Sequence, residues 1–411
     1  MLFDLCKRII KKHQYLYRMI SSIYYLKWRI RKIFKYRILD RKELIKRKND
    51  FSYCEYSEDD IALYYKPISL DGVFSDQINY FIDKKFNLPP SFYNVFENVT
   101  LIGPEAVGVL QKSDILVETA GGSINILDKC SPKIFTNPQK IDVQKEYDCA
   151  TVFITPWINN HNKNYFHWFA ECLLLIEAID IFKSNTGDTP EIIINNNPKE
   201  YQLDSLECLG YDPNHVSLWK YNKVKVRRLV VPSLRRERFG WVDIYYPNAI
   251  MWLKDRFKEV TYGLDNTYSQ NIFISREKVE GRRIINNDEF QDFLEKYNFQ
   301  SYCLENIDFL DQVIMFSNAK NIIAAHGAGL TNIIFSSDVN IIEIFGNPPI
   351  HYTEYYRIAQ NLGHNYSYLF CDYSYDNYID YQSSHYYKEH DLIINISDLE
   401  ILAKKLHLDH S

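Results

Sequence analysis

The chain has 411 residues, 46% of them hydrophobic and 25% charged, which is ordinary for a soluble globular protein and long enough for two cores. Its formal net charge of −5 is unevenly spread: residues 1–50 hold 16 Lys and Arg against 4 Asp and Glu, a net +12, leaving −17 for the rest. The acidic body carries no nucleic-acid recognition motif, and none of the eight cysteines forms a CxxC pair, so a nucleic-acid partner, a disulfide framework and a cysteine-based metal cluster are all set aside in favour of reduced thiols in a cytoplasmic protein.

Residues 1–48 read as a basic helical arm. Apolar residues recur at helical spacing (Leu5, Ile9, Leu16, Ile20, Ile23, Trp28, Phe34, Ile38), and Lys and Arg fill the gaps. Such an arm suits an anionic membrane surface, with packing on the domain or a protein-protein contact as the alternatives. Lysines arrive before any secretory apolar core forms, and no uncharged apolar run approaches the ~20 residues of a spanning helix.

Residues 51–98 give few signals beyond a loop at Pro89-Pro90. From 99 to 128, short β-like runs (Val99 to Ile102, Ala106 to Leu110, Ile115 to Glu118, Ile124 to Leu127) read as an antiparallel meander. A strand at Thr151 to Thr155 leads through a loop into a helix from Tyr165 to Phe182, in which His167 and Glu171 share a face at i, i+4. Further α/β alternation ends at a helix from Pro247 to Val260, and residues 261–270 read as a linker. A second block opens with a strand, Asn271 to Ile274, running into Ser275-Arg276 and the basic turn Gly281-Arg282-Arg283. Helices at 288–297 and 309–319, strands at 300–303 and 368–370, and a last helix from 398 to 406 with Ser397 and Glu400 at capping-box spacing complete it.

The stretch Asn321 to Phe345 reads as a βαβ unit. An apolar strand is followed by His326, Gly327, Ala328 and Gly329, a helix start at Leu330-Thr331-Asn332, and a second strand that ends near Glu343. Glycines at a strand-to-helix turn let backbone approach a ligand, and free helix N–H groups suit a phosphate. If both strands are parallel, Arg276 emerges at the same sheet edge as His326, where a diphosphate leaving group would be held. Arg283 is a further candidate, balanced against a solvated surface charge. Glu343 is a candidate acceptor for ribose hydroxyls. His167 and Glu171 are candidates for a base that deprotonates an acceptor hydroxyl.

These blocks carry a resemblance. NYFHWFAE (164–171), SR (275–276), RRIINNDEF (282–290), DFLDQVIMFSNAKNIIAAHGAGLTNIIF (308–335) and VNIIEIF (339–345) recur in this order in glycosyltransferase family 61, which the chain resembles over residues 95–370. The resemblance implies a GT-B fold: two Rossmann-like domains facing across a cleft, with the basic helical arm outside the family pattern. Domain boundaries then fall as an arm at 1–50, an acceptor domain at 51–262 and a nucleotide-sugar domain at 263–411, whose last helix crosses back.

The same resemblance implies inverting transfer from a UDP-sugar to a glycan or lipid-linked glycan, with no metal required, as in bacterial capsule or lipopolysaccharide assembly at the inner membrane surface. Arg276 and the turn from His326 to Asn332 would hold the UDP, with Asn164 and Glu343 as further substrate contacts. His167 or Glu171 would be the base. A non-catalytic glycan-binding subunit is the alternative in another class. A nucleotide-dependent oxidoreductase is opposed by the absence of GxGxxG.

Overall fold

The computed structural model describes residues 37–47, 52–70, 76–110, 114–122, 142–155, 158, 165–239, 242–346, 352–373 and 390–408. Asn164, the first 36 residues of the expected arm and the run Ile124 to Leu127 lie outside them. Among the described residues no helix is long and apolar enough to cross a membrane.

The fold is mixed α/β, built on two main sheets. The first, described as nine-stranded, takes β1 (Ile38–Leu39), β2 (Tyr53–Glu55), β5 (Phe92–Ile102), β6 (Val107–Val109), β7 (Ile115–Leu116), β8 (Lys145–Phe153), β9 (Glu191–Asn195), β10 (Val216–Trp219) and β11 (Lys223–Pro232). Its order is β1-β7-β6-β5-β11-β8-β9-β10, with β2 also on β5. The stretch β11-β8-β9-β10 is parallel, and β5-β6-β7 is the antiparallel meander read from the sequence. Two antiparallel ribbons lie apart from it: β3 (Asp60–Leu63) with β4 (Lys85–Leu88), and β12 (Arg236–Phe239) with β13 (Val242–Tyr245).

The end of the expected arm is not helical throughout. Ile38–Leu39 pairs in parallel with Ile115–Leu116, and Ile115 N–H donates to the Arg37 carbonyl. A free sheet edge offers those backbone groups partners, and this outweighs the amphipathic spacing. A short helix follows, Arg41–Ile45, capped by the Asp40 side chain. Its Arg41 is buried and donates to the Leu234 and Pro90 carbonyls at 2.7 and 3.2 Å.

The second sheet runs β15 (Gln300–Tyr302), β14 (Asn271–Ile274), β16 (Asn321–Ala325), β17 (Asn340–Gly346), β18 (Asn365–Tyr373) and β19 (Leu392–Ile393) in that spatial order. The first five are parallel and β19 is antiparallel. From β14 the chain moves to β15 on one side and returns to β16 on the other. The carboxyl ends of β14 and β16 therefore flank a topological switch point, where open α/β sheets bind ligands.

One apolar core runs between the two sheets. Phe169 stacks on Phe309 (centroids 5.4 Å, 21°) and meets Phe335 edge-on (5.7 Å), and Phe257 meets Phe335 at 4.9 Å. Ile68 bridges in parallel to Ser367, so a residue from early in the chain joins the edge of the second sheet's β18. The last helix, Ile396–Lys405, packs on the second sheet and sends Lys405 Nζ to the Ser69 carbonyl at 3.0 Å. Asn395, not Ser397, caps it, and Glu400 bonds Lys296 and Tyr297 instead of closing a capping box.

Candidate functional site

Arg276 and His326 each lie two residues beyond the paired ends Ile274 and Ala324, so they leave the sheet side by side. The half-buried Arg276 guanidinium lies over Gly327: a Cβ there would stand 2.8 Å from Nη1. Gly327 has φ 174°, ordinary extended backbone, so the glycine is needed for space alone. At Gly329 a Cβ would meet Leu304 Cδ1, the end of a flexible side chain, at 2.8 Å, so that glycine makes room for Leu304. The helix after the turn starts at Ala328 and is a 3₁₀ helix, Ala328–Phe335. Ala328 is exposed, whereas Leu330, Thr331 and Asn332 are buried. Asn332 is used up internally: its Oδ1 accepts from Tyr165 Oη at 2.5 Å and its Nδ2 donates to Gln312 at 2.9 Å.

Of the paired arginines, Arg282 and not Arg283 faces the turn. Arg282 has φ 59°, left-handed backbone that is uncommon outside glycine, and its Nη1 donates to the His326 carbonyl. That twist sends Arg283 the other way, into a two-pronged pair with Asp391 (Nε 3.1 Å, Nη2 2.6 Å) in which Arg283 is half exposed. Arg276 itself donates to the Gly281 carbonyl at 3.0 Å. Burial, then the like charge of Arg282, pushes its guanidinium down to about 10. A cation crowded in this way is a candidate for binding an anion.

Glu343 does not end its strand. It sits within β17, buried, with Oε1 against His326 Nδ1 (2.5 Å) and Oε2 accepting from Tyr366 Oη (2.6 Å). Both oxygens are engaged by the protein, so it orients the His326 ring and is not offered to a ribose. That ring is also stacked on Tyr352 (5.2 Å, 3°) and Phe345 (5.1 Å, 22°).

His167 ends the first helical turn, Tyr165–His167. The chain then widens into a π-helical turn, Trp168–Cys172, and a 3₁₀ turn, Leu173–Leu175, before a regular helix, Ile176–Thr186. The uniform helix expected here is thus broken. Trp168 is fully buried with its indole on Ser205 Oγ (2.9 Å), and a wide turn seats Trp168 and Phe169 side by side. Within that turn Glu171 Oε1 meets His167 Nδ1 at 2.8 Å and Arg236 Nε at 3.4 Å. Burial works to raise the Glu171 carboxyl, but Arg236 and His167 outweigh it and hold it below the usual carboxylate range.

The two clusters are joined. Tyr165, two residues before His167, bonds Asn332 of the turn, and Phe166 meets Tyr355, which packs on His326 at 5.4 Å. Residue spacing alone missed Arg236, Arg282 and Tyr165. The first sits in the charged run Arg235-Arg236-Glu237-Arg238, which resembles a surface, and nothing but tertiary contact reveals the third.

These features define an α/β protein with a cationic strand-to-helix turn at a switch point and an acid-paired imidazole packed beside it. Residues 165–341 match the family model described as Glycosyltransferase 61, a match that supports assigning the chain to glycosyltransferase family 61 and reading it as a glycosyltransferase. The matched span begins at Tyr165 and takes in His167, Arg276 and His326. No curated protein matches the chain significantly.

Proposed function

We propose that the protein is an inverting, UDP-sugar-dependent glycosyltransferase of GT-B type that adds a hexose or pentose to a glycan hydroxyl during capsule or lipopolysaccharide assembly. What carries the reading is the convergence at one switch point: Arg276 over Gly327, Arg282 on the His326 carbonyl, and the His167 helix bonded to the same turn through Tyr165 and Asn332. The cationic turn takes the diphosphate, and the guanidiniums stabilise the charge that develops on the leaving UDP. His167, with Nδ1 engaged by Glu171, takes the acceptor's proton at Nε2 while the hydroxyl attacks the anomeric carbon from the face opposite UDP. Glu171 is then the orienter, not the base. The basic composition of residues 1–48 suits attachment to an anionic inner-membrane surface, where lipid-linked acceptors are found.

A thermal-shift screen against a panel of UDP-sugars, followed by transfer assays with glycan acceptors, tests this. A true donor at 100 times its Kd stabilises the fold by ~2.7 kcal/mol. If no UDP-sugar stabilises the protein or releases UDP in its presence, the reading is wrong.

A further inference from the structure

We infer that Arg236 is a positioning residue for His167, acting through Glu171. Its side chain is 5% exposed and spans three segments: Nε lies 3.4 Å from Glu171 Oε1, Nη1 lies 2.9 Å from Asp243 Oδ2, and Nη2 donates to the Gly121 carbonyl at 2.8 Å. It stands on β12 opposite Tyr245 of β13, and the Tyr245 ring packs edge-on against Phe166, next to His167. The ribbon is thereby docked on the helix that carries the base. The role rests on the reading of His167 as that base.

The charge count explains why a guanidinium belongs there. Arg236 touches two carboxylates, Glu171 and Asp243; Asp243 also has Arg238 Nη1 at 3.7 Å, whereas Arg236 is the guanidinium paired with Glu171, whose Oε2 accepts no hydrogen bond among the described residues. Without Arg236, burial would raise the Glu171 carboxyl. With Arg236 in place, Glu171 stays a charged acceptor facing His167 Nδ1. The other groups facing Glu171 are Cys172 from its own helical turn and Tyr245 from the ribbon. Glu118 lies behind Arg236, and Arg357 lies over Tyr245.

The test is a His167 titration by NMR of histidine-labelled full-length protein, run beside the pH profile of kcat/KM. Removing a neighbouring cation raises the proton affinity of every group around it. In Arg236→Gln the His167 midpoint and the acidic limb of the profile therefore both move up by about one pH unit. Arg236→Lys keeps the charge and returns most of that shift. Asp243→Asn, a milder change that guards against a misfolded Arg236 variant, removes an anion and moves the midpoint down. A midpoint unmoved in both Arg236→Gln and Asp243→Asn overturns the inference. Full activity in His167→Ala, with the NMR shifts intact, would instead strike the transferase mechanism while leaving the electrostatic coupling standing.

Discussion

The molecule contains the same pair of side chains twice, and their surroundings set them apart. His167–Glu171 and His326–Glu343 are close at 2.8 and 2.5 Å, and both carboxylates are buried. Glu171 has a guanidinium beside it, from Arg236. Among the described residues Glu343 has a single ion-pair partner, His326, and its other oxygen takes a phenol. A buried carboxylate needs a compensating cation. Arg236 supplies it at the first pair, and under the proposed function the imidazole there serves as the base. At the second pair no guanidinium is paired with the acid among the described residues, and under the proposed function the ring beside Arg276 and Arg282 belongs to the turn that takes the diphosphate. Under the proposed function, the partner of the acid, not the dyad, decides the work of the histidine.

The comparison breaks if the two histidines fail in the same way. His167→Ala should lower kcat by about 10²–10⁴-fold, the usual worth of a general base, with UDP affinity unchanged by calorimetry. Loss of UDP binding in that variant would make His167 a structural residue. A third histidine sharpens the contrast because, among the described residues, no carboxylate is paired with its ring. His364 is buried with Nε2 on the Ile333 carbonyl, and burial lowers it to about 4 from 6.5. Below pH 6.5 the unfolded chain takes up a proton that the folded chain refuses. Its contribution is therefore full above that pH and is lost as pH falls toward 4, about 3 kcal/mol in all. Melting curves across that interval should flatten in His364→Gln.

Smaller effects test the turn. Glu343→Gln leaves His326 without its anion and should weaken UDP binding by about tenfold, or 1.4 kcal/mol, with little change in the acidic limb of the rate profile. A shift in that limb would assign proton transfer to the wrong pair. Tyr165→Phe strands the buried Asn332 oxygen and should cost about 1 kcal/mol of stability by chemical denaturation, and it should loosen the link between the two pairs.

Periodicity and composition made much of this legible. The helix Pro247–Val260 and the strand Asn271–Ile274 lie where their patterns put them, because a long amphipathic run and a short apolar run (Ile272 to Ile274) after a linker have few alternatives. The pairing of Arg276 with the His326 turn followed from two parallel strands in neighbouring positions. Three features were not written locally. Arg282 and Arg283 differ in which way they face because of one left-handed residue, and residue type does not encode that twist. Arg236 reads as part of a charged surface run until the β12–β13 ribbon folds it inward. The wide winding after His167 depends on where Trp168 finds Ser205, 37 residues away.

The role proposed for the cationic turn is to stabilise a departing UDP. The most direct measurement is kcat/KM for sugar transfer from the preferred UDP-sugar in wild type and Arg276→Ala. A loss of ~2–4 kcal/mol of transition-state stabilisation, roughly 30- to 1000-fold, is the predicted result, and full turnover in Arg276→Ala would contradict it.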